Sequence, residues 1–413
     1  MIRIRKKYLF YTLGITSAII AAAGTTTDTY ASIYIKNPWA LCFSIFLVGL
    51  VITFLLTAIL SIPVNGKTIG STIDPSFRGM RLIKKEELKY QAIAGFANAV
   101  TTLAYFYVIW SYNNPFTPAT ILAFSQVVII YLLAIESITE KNAPTLAEVQ
   151  SAIIVSFGAM LASISLKGGI NARGVAVVFL VLNPSWALFS IYQRKLKLLR
   201  FDGCYNDAIN IRLWNIVFTT FFTFVAILLM GYFMHENLLQ ESLNTLSYWH
   251  LLAISMTIAF FSYVFYIRAL GLGKASVTQA VKSSNIIFSI PFSFWLASIV
   301  GGSLFESPLH ALIKIMGMIL VILGVISFAL TEVRGYIFIN AKSGYRAKDL
   351  IEEIWKIKGV TSIAAVAGSY DIIAKVRIRS LGKGYERIVR VLEGINGIAS
   401  FKWHSILKEW EEI

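Results

Sequence analysis

Charge is what this chain has least of: Asp, Glu, Lys and Arg make up only 14% of its 413 residues. A soluble chain of this size carries about a quarter, so the deficit excludes an ordinary water-facing surface over most of the sequence. Cysteine is almost missing too. Cys42 and Cys204 are the two present, too few for a disulfide framework, and the topology below sets them on opposite sides of a membrane. Histidine is scarce and scattered at His235, His250, His310 and His404. None has metal-ligand spacing or a nucleophile motif beside it, so no enzyme, metal or cofactor is expected. Gly271-Leu-Gly273-Lys274 is a connector, too short for a phosphate-binding strand–loop–helix unit. The net charge of +15 raises nucleic acid as a partner. No helix-turn-helix or zinc-finger pattern supports that, so the basic residues read as positive loops of a membrane protein, with no nucleic-acid partner.

Hydrophobic residues are abundant, at 57%. They fall in runs of roughly 20, each long enough at about 1.5 Å per residue to cross a ~30 Å hydrocarbon core. The spans expected are 8–32, 38–61, 90–112, 116–136, 147–166, 174–193, 211–233, 247–270, 275–299 and 310–331. Lipid is therefore an expected partner, and the cell membrane the expected location. Basic residues before an apolar stretch, with Ala21-Ala22-Ala23 behind, mimic a secretory signal. The repeat described next needs that helix, so it reads as an uncleaved first span. With the N-terminus inside, the inner segments hold Arg3, Arg5, Lys6, Lys7, Lys67, Arg78, Arg81, Lys84, Lys85, Lys89, Lys141, Arg194, Lys195, Lys197, Arg200, Arg212, Arg268 and Lys274. The outer side keeps Lys36, Lys167, Arg173 and Lys314. Eighteen against four places both termini in the cytoplasm.

A shift of about 160 residues brings the two halves into register. Gly14 then falls on Gly174 and Gly158 near Gly317, while Thr117-Pro-Ala-Thr-Ile-Leu-Ala-Phe-Ser and Val277-Thr-Gln-Ala-Val-Lys-Ser-Ser-Asn open matching spans. Five helices per half force opposite orientations, the inverted-repeat plan of many secondary transporters. Three phrases carry a resemblance: Trp186-Ala-Leu-Phe-Ser-Ile-Tyr-Gln-Arg-Lys-Leu, Tyr266-Ile-Arg-Ala-Leu-Gly-Leu-Gly-Lys-Ala-Ser and Ala134-Ile-Glu136-Ser-Ile-Thr. On these, residues 8–331 resemble the drug/metabolite transporter superfamily, in particular its EamA-type members. The second half departs from the pattern at the place matching Glu136, where Leu296 stands and Glu306 lies beyond. The resemblance implies transport of a small-molecule substrate and leaves its class open.

Beyond residue 333 the texture changes to short alternating segments with charged helices. Strands are expected at Val333–Asn340, Thr361–Ala367, Tyr370–Ile378 and 398–408, with helices at Tyr345–Ile357 and 384–395. Tyr370, Ile372, Ala374, Val376 and Ile378 share one face by the period of two. The order βαββαβ predicts a ferredoxin-like domain. Lys358-Gly-Val-Thr-Ser-Ile, Gly368-Ser-Tyr-Asp-Ile-Ile-Ala-Lys-Val and Ile395-Asn-Gly-Ile are similar to the effector-binding domain of Lrp/AsnC-type regulators. That resemblance implies a sheet-mediated homodimer and an amino-acid effector near Gly368, Ser369, Tyr370 and Asp371. A hairpin-shaping or dimer-only role for these residues stays open. The DNA-binding helices of such regulators are absent from the phrases matched.

The expected fold is thus an all-α membrane bundle of ten transmembrane helices in two inverted five-helix repeats, 1–166 and 167–332, plus an α+β ferredoxin-like domain at 333–413. Polar groups inside spans are costly and mark functional sites. Lys282, with Ser283, Ser284 and Asn285 after it, is a candidate for a substrate carboxylate, unless it snorkels to the interface. Asp28 is a candidate for a substrate amine or a proton, or a merely hydrated carboxylate near the outer edge. Asn98, Gln126 and Asn183 are candidates for the same cavity, with interhelical hydrogen bonding as the plainer role. Pro291 is expected only to kink its helix, and Glu136 to anchor a cytoplasmic end. The function expected is a secondary transporter, an exporter of a metabolite such as an amino acid, regulated by its tail. The alternative is a membrane-tethered ligand receptor.

Overall fold

The structure, a computed structural model, describes residues 6–112, 125–140, 146–163, 172–201, 203–300, 307–330, 332–357, 359–379 and 384–405. Residues 116–124 of the predicted fourth span, Glu306, Lys358 and 406–408 of the last predicted strand lie outside them, as do Arg3, Arg5, Lys141 and Lys167. The chain divides into two compact units, one of residues 1–142 and 152–324, the other of 143–151 and 325–413.

The apolar runs fold as helices. They are α1 (Lys6–Tyr34), α2 (Pro38–Leu60), α3 (Lys85–Tyr112), α4 (Val128–Glu140), α5 (Leu146–Ser163), α6 (Asn183–Leu198), α7 (Ala208–Met234), α8 (Trp249–Leu270), α9 (Ala275–Lys282), α10 (Asn285–Val300) and α11 (Pro308–Leu330). Six helices among the described residues are long and apolar enough to cross a membrane: Tyr8–Tyr34, Pro38–Leu60, Lys85–Ser111, Ala208–Met234, Leu238–Leu270 and Pro308–Ser327. They mark a membrane protein. Their outward faces fit lipid, since α7 exposes Phe221, Leu229, Tyr232 and Phe233 while its Asn215, Thr219 and Thr223 turn inward.

Starts and breaks follow local chemistry. Asn37 caps α2, its side chain accepting from the amides of Trp39 and Ala40, with Pro38 in the first turn. Asp207 caps α7 by accepting from the Asn210 amide at 2.7 Å. Pro184 lacks an amide proton, and the turn just before it, Val178–Leu182, widens into a π-helix. The predicted span 275–299 is interrupted: α9 stops at Lys282 and α10 starts at Asn285. Ser283 and Ser284 lie between, their hydroxyls bonded back to the Gln279 and Val281 carbonyls in competition with the helix ladder. Pro291 lies within α10. Two glycines permit close helix approach. A methyl at Gly14 would meet Val281 Cγ1 at 2.7 Å, and one at Gly158 the Gly317 carbonyl at 2.8 Å.

In the second unit, β1 (Glu332–Ala341), β2 (Val360–Ala365), β3 (Ile372–Arg379) and β4 (Ile398–Ser405) form one sheet in the order β2-β3-β1-β4. Every neighbouring pair is antiparallel. Helices α12 (Ala347–Trp355) and α13 (Gly384–Glu393) complete the order βαββαβ. The core joins Ile337 and Ile339 of β1 with Ile372, Ala374 and Val376 of β3, under Leu350, Ile354, Ile388 and Leu392 of the helices. The alternation along the sequence thus separates a helix-covered face from one carrying Tyr336, Phe338 and His404.

Candidate functional site

The first unit contains a cavity of about 190 Å³, lined from α1, α2, α3, α6, α7, α8, α9 and α10, together with Gln126 and Leu182. Its charged lining residues are Asp28, Arg212 and Lys282. Lys282, the last residue of α9, holds its ammonium in an aromatic cage 4.6 Å from the Trp186 ring centre, 4.2 Å from Tyr266 and 5.3 Å from Tyr263. Such faces attract a cation, more strongly when water is excluded. The cage has its own supports. Trp186 Nε1 and the Tyr266 hydroxyl both donate to Gln279 Oε1 at 3.1 Å, and Tyr266 also reaches Ser190 at 2.8 Å. Gln279 Nε2 donates to Gln126 Oε1 at 3.3 Å, where the Ser283 hydroxyl also donates at 2.6 Å.

Arg212 lies one turn into α7 and is only 1% exposed. Its guanidinium sits 4.4 Å over the Tyr263 ring, so both cations share that ring. Arg212 donates weakly to Asn215 at 3.4 Å, and its Nε has no hydrogen-bond partner among the described residues. Asp28 accepts from the Ser255 hydroxyl. None of these three charged groups forms an ion pair among the described residues.

The structure brings Asp28, Gln126, Lys282 and Asn285 onto one cavity. Ser283 stands behind them through Gln126. Asn98 does not line the cavity; its amide donates to Asn215 at 3.3 Å and to Thr219 at 3.1 Å, joining α3 to α7. Asn183 is buried at the start of α6, next to Leu182 of the lining. Sequence reasoning missed Arg212, counting it with the loop charges because the span was expected to start at 211. Its place inside an apolar run was the available signal. Glu136 ties α4 to α9, accepting from the Ala275 and Ser276 amides at 2.6 and 3.2 Å, with Arg194 at 3.6 Å.

A second cluster of charges joins the loops before α3 and α7. Lys197 donates to Asp74 at 2.6 Å, and Asp74 also accepts from the Ala208 amide at 2.8 Å. Arg81 grips Glu87 through two 2.7 Å bonds and reaches Asn206 at 2.8 Å. Burial pushes the Asp74 carboxyl up, but Lys197 and the amides outweigh it, so it titrates below the usual carboxylate range. Burial dominates at Asp207, whose carboxyl is raised.

In the second unit, Gly368 and Ser369 are exposed on the β2–β3 connection. Asp371 stitches strands: its amide donates to the Ile339 carbonyl at 3.0 Å and its carboxylate accepts from Ala341 at 2.8 Å. The Tyr370 ring packs 5.1 Å from Phe338. Residues 335–412 match the family model of the Lrp/AsnC ligand binding domain. The C-terminal unit carries that domain. No curated protein matches the chain. Among solved structures, one described as "Crystal structure of protein" is similar at 12% identity and a TM-score of 0.46, over 77% of this chain and 97% of that one. Another, "Crystal structure of PH0061", is similar at 22% identity and a TM-score of 0.19, over 29% of this chain and 83% of that one. At those scores neither likeness fixes a fold for the bundle.

Proposed function

We propose that this protein is a secondary transporter that moves a small metabolite through its membrane bundle under the control of its Lrp/AsnC ligand binding domain. The observation that carries this reading is the cavity, which gathers Asp28, Arg212 and Lys282 beside a helix interrupted at Ser283–Ser284. A broken helix next to buried polar groups is how many transporters present backbone and side chains to a substrate. The ten-span, inverted-repeat plan of the EamA-type transporters agrees with this arrangement, and positive-inside counting puts both termini in the cytoplasm. The sheet order and antiparallel pairing support a ferredoxin-like tail. Its uncovered face is the surface through which two copies would pair. An amino acid is the simplest common ligand, sensed by the tail and exported by the bundle, with the turn at Gly368–Asp371 as the effector site.

Flux of labelled amino acids in proteoliposomes tests the reading. Flux that falls to background in Lys282→Ala and Asp28→Ala supports transport through the cavity, and removal of 334–413 should change its rate or its response to added amino acid. Amino-acid binding by the full chain with no flux for any compound would establish the membrane-tethered receptor instead.

A further inference from the structure

Two buried cations facing one cavity, with no acid paired to either among the described residues, are an arrangement that needs an anion. Desolvating a guanidinium or an ammonium is expensive, and the cost is ordinarily met by a paired carboxylate. Here Arg212 has a neutral amide at 3.4 Å and a tyrosine face at 4.4 Å. Lys282 has three aromatic faces. Aromatic rings stabilise a cation but do not cancel its charge, and because both groups lie over Tyr263 they repel one another. The same cavity offers acceptors elsewhere: the Asp28 carboxylate, held by Ser255, and the Asn285 amide oxygen, which is buried without a partner among the described residues. One carboxylate against two cations leaves the lining with a single positive charge uncompensated.

We infer that the transported species is an acidic amino acid, whose two carboxylates lie at Arg212 and Lys282 and whose ammonium lies at Asp28 and Asn285. The inference rests on the transporter reading and names its substrate class. Charge balance separates this class from its neighbours. A neutral amino acid answers Asp28 and one cation and leaves the other buried alone. A cationic amino acid adds to the surplus. A monocarboxylate without an amine leaves both Asp28 and one cation unanswered. Only an amino dicarboxylate satisfies the three charged groups together, with the planar fork of Arg212 suited to gripping one carboxylate by two bonds.

The experiment is proteoliposome flux of the full chain with labelled L-glutamate, L-glutamine, L-leucine, L-lysine and lactate. Glutamate and glutamine have nearly the same shape, so their ratio reads charge. The expected result is a glutamate preference over glutamine of at least about tenfold, with lysine and lactate carried least. Arg212→Gln and Lys282→Gln should each bring that ratio towards one, while Arg212→Lys and Lys282→Arg retain part of it. A ratio does not depend on how much protein is folded, so a poorly folding variant still reports. Glutamine, leucine or lysine carried as well as glutamate overturns the charge assignment while leaving the transporter reading intact. An unchanged ratio in both glutamine variants removes Arg212 and Lys282 from the site. No flux of any of the five compounds, with the chain still melting cooperatively, overturns this inference, and glutamate binding without flux sinks the transporter reading as well.

Discussion

Two pairs of basic residues in the same unit, buried except for the half-buried Arg81, are treated in opposite ways. Lys197 and Arg81, in the loop cluster, each meet an acid at 2.6–2.7 Å. Lys282 and Arg212, in the cavity, meet aromatic rings and a distant amide. The first arrangement is self-sufficient, with Asn206 and backbone amides taking up the remaining bonding capacity of Asp74 and Glu87. The second is incomplete by one charge. Burial alone therefore does not separate the two pairs in this bundle; the partner does.

The largest expected effect comes from breaking the complete pair. Asp74→Ala leaves the Lys197 ammonium buried without its acid, a loss of about 3–5 kcal/mol, read by thermal or denaturant unfolding of the purified chain. Lys197→Met should cost a similar amount, and the double variant less than the sum of the two. The pH dependence has a definite sign. Because the folded Asp74 carboxyl titrates below its unfolded value of about 4, the pair's stabilisation is complete above that pH. It is lost as pH falls through the lower folded value, and Asp74→Asn should flatten that acid limb. Asp207 acts in the opposite sense, since its raised carboxyl favours the folded chain when protonated.

The incomplete pair should behave the other way. Lys282→Met removes a buried charge that has no acid, so stability should change by less than about 1 kcal/mol, the lost cation–π attraction offsetting the relief of desolvation. Glutamate flux through the cavity should nevertheless fall, and its ratio to glutamine flux move towards one. A melting loss as large as that of Asp74→Ala would mean that the aromatic cage is a structural pair in its own right, and the contrast between the two regions would fail.

How far each region was legible in the sequence differs for the same physical reason. The apolar runs and the alternation of the tail are local patterns, and helix and strand bounds came within a few residues of expectation, as at Pro38–Leu60 and Gly384–Glu393. Lys282 and Asp28 stood out because a charge inside an apolar run is costly wherever it points. Arg212 did not, because its meaning depends on a helix starting three residues earlier than the hydropathy suggests. The Trp186–Tyr263–Tyr266 cage was illegible because its rings come from two helices distant in sequence, and aromatic residues are plentiful throughout the chain. The break at Ser283–Ser284 was also missed. A serine pair in an apolar run looks like ordinary helix until its hydroxyls are seen bonded back to Gln279 and Val281.

The smallest effect sharpens the comparison from the neutral side. Asn98 is as buried as Arg212, at 1% exposure for each. Yet its amide nitrogen donates to Asn215 and Thr219 across the α3–α7 contact, while its oxygen has no partner among the described residues. If partnering is what assigns a role, a polar group that has found partners outside the cavity is structural, whatever its cost of burial. The difference between Thr219→Val in the unaltered chain and in an Asn98→Ala background then measures one interhelical bond, which in membrane proteins averages about 0.6 kcal/mol. That coupling should appear in unfolding of the purified chain, while the glutamate-to-glutamine ratio stays where it is in the unaltered protein. A shift in the ratio would mean that Asn98 acts on Arg212 through Asn215, which both residues contact, and the boundary between site and scaffold would have to be drawn one residue further out.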